Sequence, residues 1–128
     1  MIVNIGRYIY QELSSISGLT VFPVVAPFDN DTPTTPIAVY QRTSMEPMYT
    51  KSLWTGDIKH YYSLSVMSTD YDRSAEIAQL AIDAIMSLSY TLHQDIRFGQ
   101  VTVTGLSEDF SEGIFIQSIQ IVLNTQKL

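Results

Sequence analysis

The chain has 128 residues, 45% hydrophobic and 16% charged, with a formal net charge of −6 and a mass of 14.4 kDa. That is the size of one domain, 1–128, too apolar for a disordered chain and, with seven cations, too poor in positive charge to hold nucleic acid by its phosphates. It has no cysteine for a disulfide or a thiolate metal site, and no signal peptide or membrane span, so a soluble protein made in the cytoplasm is expected.

Ile2, Ile5, Ile9, Leu13 and Ile16 recur every three or four residues and predict an amphipathic helix that Gly18 ends. LTVFPVVAP is short and β-branched, and Pro23 and Pro27 make it an edge strand or an extended arm. FDNDTPTTP reads as a loop. IAVYQRTS (37–44) is a strand, and MEPMYTKSLWTGD after it is a long hairpin tip or a loop. Met45, Met48, Tyr49, Leu53 and Trp54 place large apolar groups in that segment, where they either fold back on the core or form a contact surface.

IKHYYSLSVMS (58–68) is the central strand, with Ile58, Tyr62, Leu64 and Val66 on one face and Lys59, Tyr61, Ser63, Ser65 and Met67 on the other. Asp72 is the expected N-cap of a second helix, with Glu76 in its first turn. Ile77, Leu80, Ala81, Ala84 and Leu88 mark the packing face of this helix, widened by Ile82 and Ile85. GQVTVTGLSEDFSEGIFIQSIQIVL closes the chain as two strands around an acidic turn, the last strand apolar on both faces and hence internal to the sheet or set against another subunit. The fold class expected is α+β, a mixed and mainly antiparallel sheet with two helices packed on one face.

Motifs that carry chemistry are scarce. A metal site would need His60 and His93 to converge with a carboxylate; the plainer reading is one strand histidine and one helix-end histidine. Capping and turn formation account for Asp70 and Asp72. Glu108, Asp109 and Glu112 lie in SEDFSEG, which lacks the length and spacing of a calcium loop and reads as a solvated hairpin tip or an acidic contact patch. No serine sits in a GxSxG context, and the six glycines build no phosphate loop. The residues point to a non-enzyme without cofactor or metal.

The layout resembles the tail-terminator or tail-completion proteins of long-tailed bacteriophages and phage-like gene-transfer particles. A helix leads into VFPVVAP, then PIAVYQRTS, then a strand-to-helix unit, then GIFIQSIQIVL, over residues 1–123. The family's strand of the V-x-S-x-x-Y type corresponds to Val66, Ser68 and Tyr71, and its A-x-x-L-A-x-x-I helix to Ala78, Ala81, Ile82 and Ile85. The stretch from Tyr90 to Phe98 has no counterpart.

The resemblance implies a homohexameric ring that closes the tail tube, docks on the head–tail connector or stopper protein, and lets DNA pass without specific binding. It implies a virion protein of the tail or neck, assembled in the host cytoplasm, with no membrane contact. Met45, Met48, Tyr49, Leu53 and Trp54 are then the candidate subunit or tube interface, with Trp54 as anchor. Some of Glu108, Asp109, Glu112, Asp29 and Asp31 would face the lumen, where carboxylates repel phosphates. Other readings are a connector or tube subunit, a small ligand-binding α+β domain, or an enzyme built on His60 or the Asp70–Asp72 pair.

Overall fold

The apolar spacing of Ile5, Ile9 and Leu13 becomes helix α1 (Gly6–Ser14), which buries those residues together with Tyr8. In the computed structural model, residues 5–24, 36–50 and 53–127 are described, with backbone alone for 48–50 and 53–56. Ile2, Pro27, Asp29 and Asp31 lie outside the described residues.

After α1 come β1 (Thr20–Pro23), β2 (Ile37–Thr50), β3 (Leu53–Ser68), α2 (Tyr71–Met86), β4 (Leu92–His93), β5 (Ile96–Ser111) and β6 (Ile114–Lys127). The strands form one six-stranded sheet in the order β1-β2-β3-β6-β5-β4. The β1–β2 pair is parallel and the rest antiparallel, so the sheet is mixed and mainly antiparallel. β1 is the expected edge strand, ending at the proline that cannot extend a ladder. β4 falls within Tyr90–Phe98, between left-handed residues at Tyr90 (φ 62°) and Gln94 (φ 56°).

Along β3, Ile58, Tyr62, Leu64 and Val66 are buried as their period-two spacing predicts, and His60 joins them. In register across β6, Thr125, Leu123, Ile121, Ile119 and Gln117 face the same way, so the centre of the core is a ladder of cross-strand pairs. α2 closes it with Ile77, Ala78, Ala81, Ile85 and, just past its end, Leu88. Leu80, expected on this face, is 42% exposed, while Ser74 is fully buried. The packed stripe therefore runs 74, 77/78, 81, 85 and 88, which turns Leu80 toward solvent.

The helix also starts earlier than expected. Asp70, in extended backbone (φ −111°, ψ 122°), is the N-cap, its side chain accepting the Asp72 N–H at 3.1 Å. Ser68 Oγ accepts the Asp70 N–H at 3.2 Å and so presents Asp70 for the role. Asp72 sits in the first turn instead, where the helix dipole favours a carboxylate.

α1 touches β1 at one edge of the sheet, and its Tyr8 ring lies 4.7 Å from His93 on β4 and 5.9 Å from Phe98 on β5 near the other edge. A helix of nine residues is about 14 Å long, whereas β1 and β5 in a flat sheet would stand about 19 Å apart. The sheet must curl for one helix to meet both edges. The sheet expected to carry two helices on one face is thus curled, spanned by α1, with α2 against β3, β5 and β6 and in contact with α1. No helix among the described residues is long and apolar enough to cross a membrane.

Candidate functional site

MEPMYTKSLWTGD, left open between loop and hairpin, supplies the end of β2 and the start of β3. Tyr49 pairs with Trp54 and Thr50 with Leu53, beyond bulges at Arg42/Ser44 and Pro47/Tyr49. β6 pairs with β3 only from Asp57 onward, so this hairpin projects past the described part of β6. The side chains of Met48, Tyr49, Leu53 and Trp54 lie outside the described residues. Met45 is half-buried and packs against the core, and the Arg42 guanidinium lies 3.8 Å from its sulfur.

The acidic residues at the other hairpin separate. Ser111 pairs with Ile114, so Glu112 (φ 52°) and Gly113 (φ 81°) form a two-residue turn, both left-handed as a type I′ hairpin requires. Glu108 and Asp109 belong to β5 rather than to this turn, and strand alternation sends them to opposite faces. Asp109 accepts the N–H of Phe110 at 2.8 Å. Glu108 lies on the core side, where Gln117 Nε2 donates to it at 2.9 Å and to Ser74 Oγ at 3.3 Å. Bonds from Gln117 and the Tyr71 hydroxyl hold the Glu108 carboxyl below its usual pKa, and the bond to Glu108 raises that of Tyr71. Beside this carboxylate, Tyr71 meets Phe115 edge-on at 5.5 Å and Phe115 meets Phe110 at 4.7 Å. Phe110 is 57% and Tyr71 44% exposed, so the tip of β5–β6 offers aromatic rings around one fixed carboxylate. A groove of about 420 Å³ runs back from it between Leu106 on β5 and Ala78 and Ile82 on α2.

On the β1 side of the sheet, Arg7 and Tyr10 from α1, Val24 past β1, and Tyr40, Arg42 and Tyr62 from β2 and β3 line an open cleft of about 490 Å³. The described residues of its lining include two guanidiniums. Arg7 donates to the Tyr8 hydroxyl at 3.0 Å and lies over that ring. Burial raises the pKa of Tyr40 and of Tyr62. A third hollow, about 340 Å³, has mixed charge, with Asp57, Lys59 and Arg97 around Gly99. Sequence reasoning missed the two-arginine cleft, because its residues come from four elements and share no spacing.

His60 is fully buried. Its Nε2 is 3.0 Å from Thr125 Oγ1, and Nδ1 has no partner. Burial, and secondarily the charge of Arg42, lower its pKa to about 4. Protonation would put a charge and a bare N–H donor in the core, so the ring stays neutral there. His93 lies instead against Tyr8 and Phe98, with Thr91 Oγ1 3.1 Å from its Nε2. The two histidines thus serve different packing sites, and no group of three metal-ligating side chains exists among the described residues. Asp70 is occupied as a helix cap.

By sequence the chain matches no known protein family and no curated protein. Among solved structures it is similar to a chain from the virion of a native gene transfer agent particle, with a TM-score of 0.63 and 13% identity, over 92% of this chain and 91% of that one. At this identity the likeness is one of fold, and it runs nearly end to end: the mixed sheet with two helices is an architecture this chain shares with a protein solved within a gene transfer agent virion.

Proposed function

We propose that this protein is a structural component of a phage-like virion, a tail-terminator subunit that assembles as a hexameric ring. The ring ends the tail tube, joins it to the head–tail connector or stopper protein, and leaves a central channel for DNA. The observation that carries this reading is the near end-to-end likeness of fold to a chain of a gene transfer agent virion, 92% of one and 91% of the other. A partial match would fit a shared sheet motif; one spanning both chains makes the whole domain the comparable unit.

Features of the chain are compatible with it. The projecting β2–β3 hairpin, with Trp54 and Leu53 near its end, is a means of reaching a neighbour or the tube. Thirteen acidic residues against seven basic ones suit a wall past which a duplex must slide without adhering. The residues in view are suited to packing and capping rather than turnover, which favours a structural role over a catalytic one.

Negative-stain imaging with light scattering of the purified protein tests the proposal. Single-layer rings of six copies of a 14.4 kDa chain, about 86 kDa, with a central hole wider than a DNA duplex, are expected. Long tubes would make the protein a tube subunit instead. A chain that stays monomeric at high concentration, and still does so when mixed with tube ends, would overturn the reading.

A further inference from the structure

The second half of β5 is an open sheet edge. Near its start the outer side is covered: β4 pairs with Ile96 and Arg97, the Phe98 N–H donates to the Thr91 carbonyl at 2.8 Å, and the Val101 N–H donates to Ser89 Oγ at 3.1 Å. From Thr102 to Ser111 no strand among the described residues lies on that side. The hairpin turn fixes which backbone groups point there. Ser111 and Ile114 close a two-residue turn as a hydrogen-bonded pair, so alternation turns the N–H and C=O of Phe110, Glu108 and Leu106 outward. The Phe110 N–H is met by the side chain of its own neighbour, Asp109, at 2.8 Å, as on an edge that no strand covers.

The side chains of these three residues share the face toward α2. Leu106 is 66% and Phe110 57% exposed, with Glu108 exposed between them. The groove of about 420 Å³ separates this stretch from Ala75, Ala78 and Ile82 on α2. Gln117 and Tyr71, the groups that bond to Glu108, are both neutral, and no cation lines the groove or the tip among the described residues. We propose that this edge takes up an extended segment of a different protein as a further strand, one in which an arginine has apolar residues two positions away on both sides. Paired with β5, its arginine would stand opposite Glu108, within reach of the Tyr71 and Phe110 rings, and its apolar residues opposite Leu106 and Phe110.

The occupant is not a second copy. Of the seven basic residues, only Arg7, Lys51 and Arg73 have apolar residues two positions away on both sides. Arg7 and Arg73 are in helices, and Lys51 lies between Thr50 and Leu53, which pair with each other where the chain reverses. Pairing β5 with β5 of another copy about Glu108 would oppose two carboxylates, the means by which charged edges keep like edges apart. Residues 25–35 bring two aspartates, two prolines and no cation, the wrong chemistry for this edge. The inference stands apart from the ring reading, since the edge belongs to the single chain.

The probe is a fluorescein-labelled peptide, Thr-Val-Thr-Arg-Thr-Val-Thr, titrated with the full chain and read by fluorescence anisotropy. Replacing its arginine with glutamate should weaken binding about fivefold, and moving the arginine out of phase, Thr-Val-Arg-Thr-Thr-Val-Thr, about threefold. The second control keeps charge and composition, so attraction to the acidic chain as a whole drops out. Glu108→Gln should bring the arginine and glutamate peptides within about twofold of each other, with thermal unfolding followed in parallel to show that the fold is kept. Amide exchange gives the location: the N–H groups of Leu106 and Glu108 should exchange fast in the free chain and slowly with peptide bound.

No binding at millimolar protein, or binding blind to register and to Glu108, would overturn the proposal. Slow exchange at both amides in the free, dilute chain would give the edge to a segment of this chain and overturn it too. Slowing that sets in with protein concentration alone would give the edge to a second copy, with the same consequence, and light scattering of the same samples reports the ring separately.

Discussion

His60 makes the folded chain sensitive to mild acid, and the size of the effect follows from its surroundings. In the unfolded chain the imidazole titrates at its ordinary value of 6.5, and in the fold at about 4. Between these values the unfolded state binds a proton that the folded state does not. Stability must therefore fall as pH falls through that window, by about 1.4 kcal/mol per pH unit where the difference is complete, and stop falling on this account below about pH 4. From pH 7 to pH 5 the loss comes to about 2 kcal/mol, a large part of the stability of a domain this size.

Urea unfolding at a fixed, low protein concentration reads this directly. With a urea slope of about 2 kcal/mol per molar, the midpoint should drop by about 1 M between pH 7 and pH 5. His60→Gln, which keeps a polar group within reach of Thr125 but cannot take up the proton, should lose most of that dependence. Stopping at pH 5 keeps the carboxylates largely ionised, so their own titration contributes little. If wild type and His60→Gln lose the same stability over this range, His60 is not held neutral in the core and the packing described around it is wrong.

Asp70→Ala should cost about 1 kcal/mol through loss of the bond to the Asp72 N–H, and Asp72→Ala clearly less; chemical denaturation separates them, and the reverse order would return the cap to Asp72. Glu112 holds a left-handed conformation (φ 52°) at the first position of a type I′ turn, where asparagine is preferred, so Glu112→Asn should raise stability by about 0.5 kcal/mol; a loss would show that the carboxylate has a structural partner. Trp54→Ala should weaken assembly, measured by light scattering, more than it lowers the melting temperature of the isolated subunit. A large fall in that melting temperature would put the indole in the core.

How far the sequence is legible depends on whether a feature is local. The alternation of Ile58, Tyr62, Leu64 and Val66 survives intact because strand period and burial on one face follow from neighbours two residues apart. The phase of α2 does not. Ile77 and Ala81 fit either stripe, and only the approach of the sheet decides that Ser74 is buried, bonded to Gln117, while Leu80 is exposed. Glu108 and Asp109 read as one acidic turn because β5 continues to Ser111, and a strand carrying polar residues at its end gives no local signal. The cleft of Arg7 and Arg42 was beyond reach altogether, since it depends on how α1 settles against a curled sheet.

The outer face of the sheet bears on where copies would meet in the proposed ring. An internal β6 leaves its apolar second face without a strand-pairing explanation, and in register that face proves mixed. Met67 and Ile116 sit together toward one end and Tyr61 with Val122 toward the other, but Ser65 with Ser118 and Ser63 with Gln120 occupy the middle. Gln120 Nε2 lies 3.4 Å from Ser63 Oγ, so these groups already bond to one another. A face whose centre is polar and internally satisfied makes a poor dry interface, because the fully buried centre of a contact patch is its most apolar part. Exposed rings lie elsewhere: Tyr71 and Phe110 at the β5–β6 tip, Tyr10 at the cleft beside β1, and Tyr90 just before β4. In the proposed ring, subunit contact is therefore to be sought along the flanks of the sheet, which would leave the outer face, with its polar centre, to line an open space such as a channel.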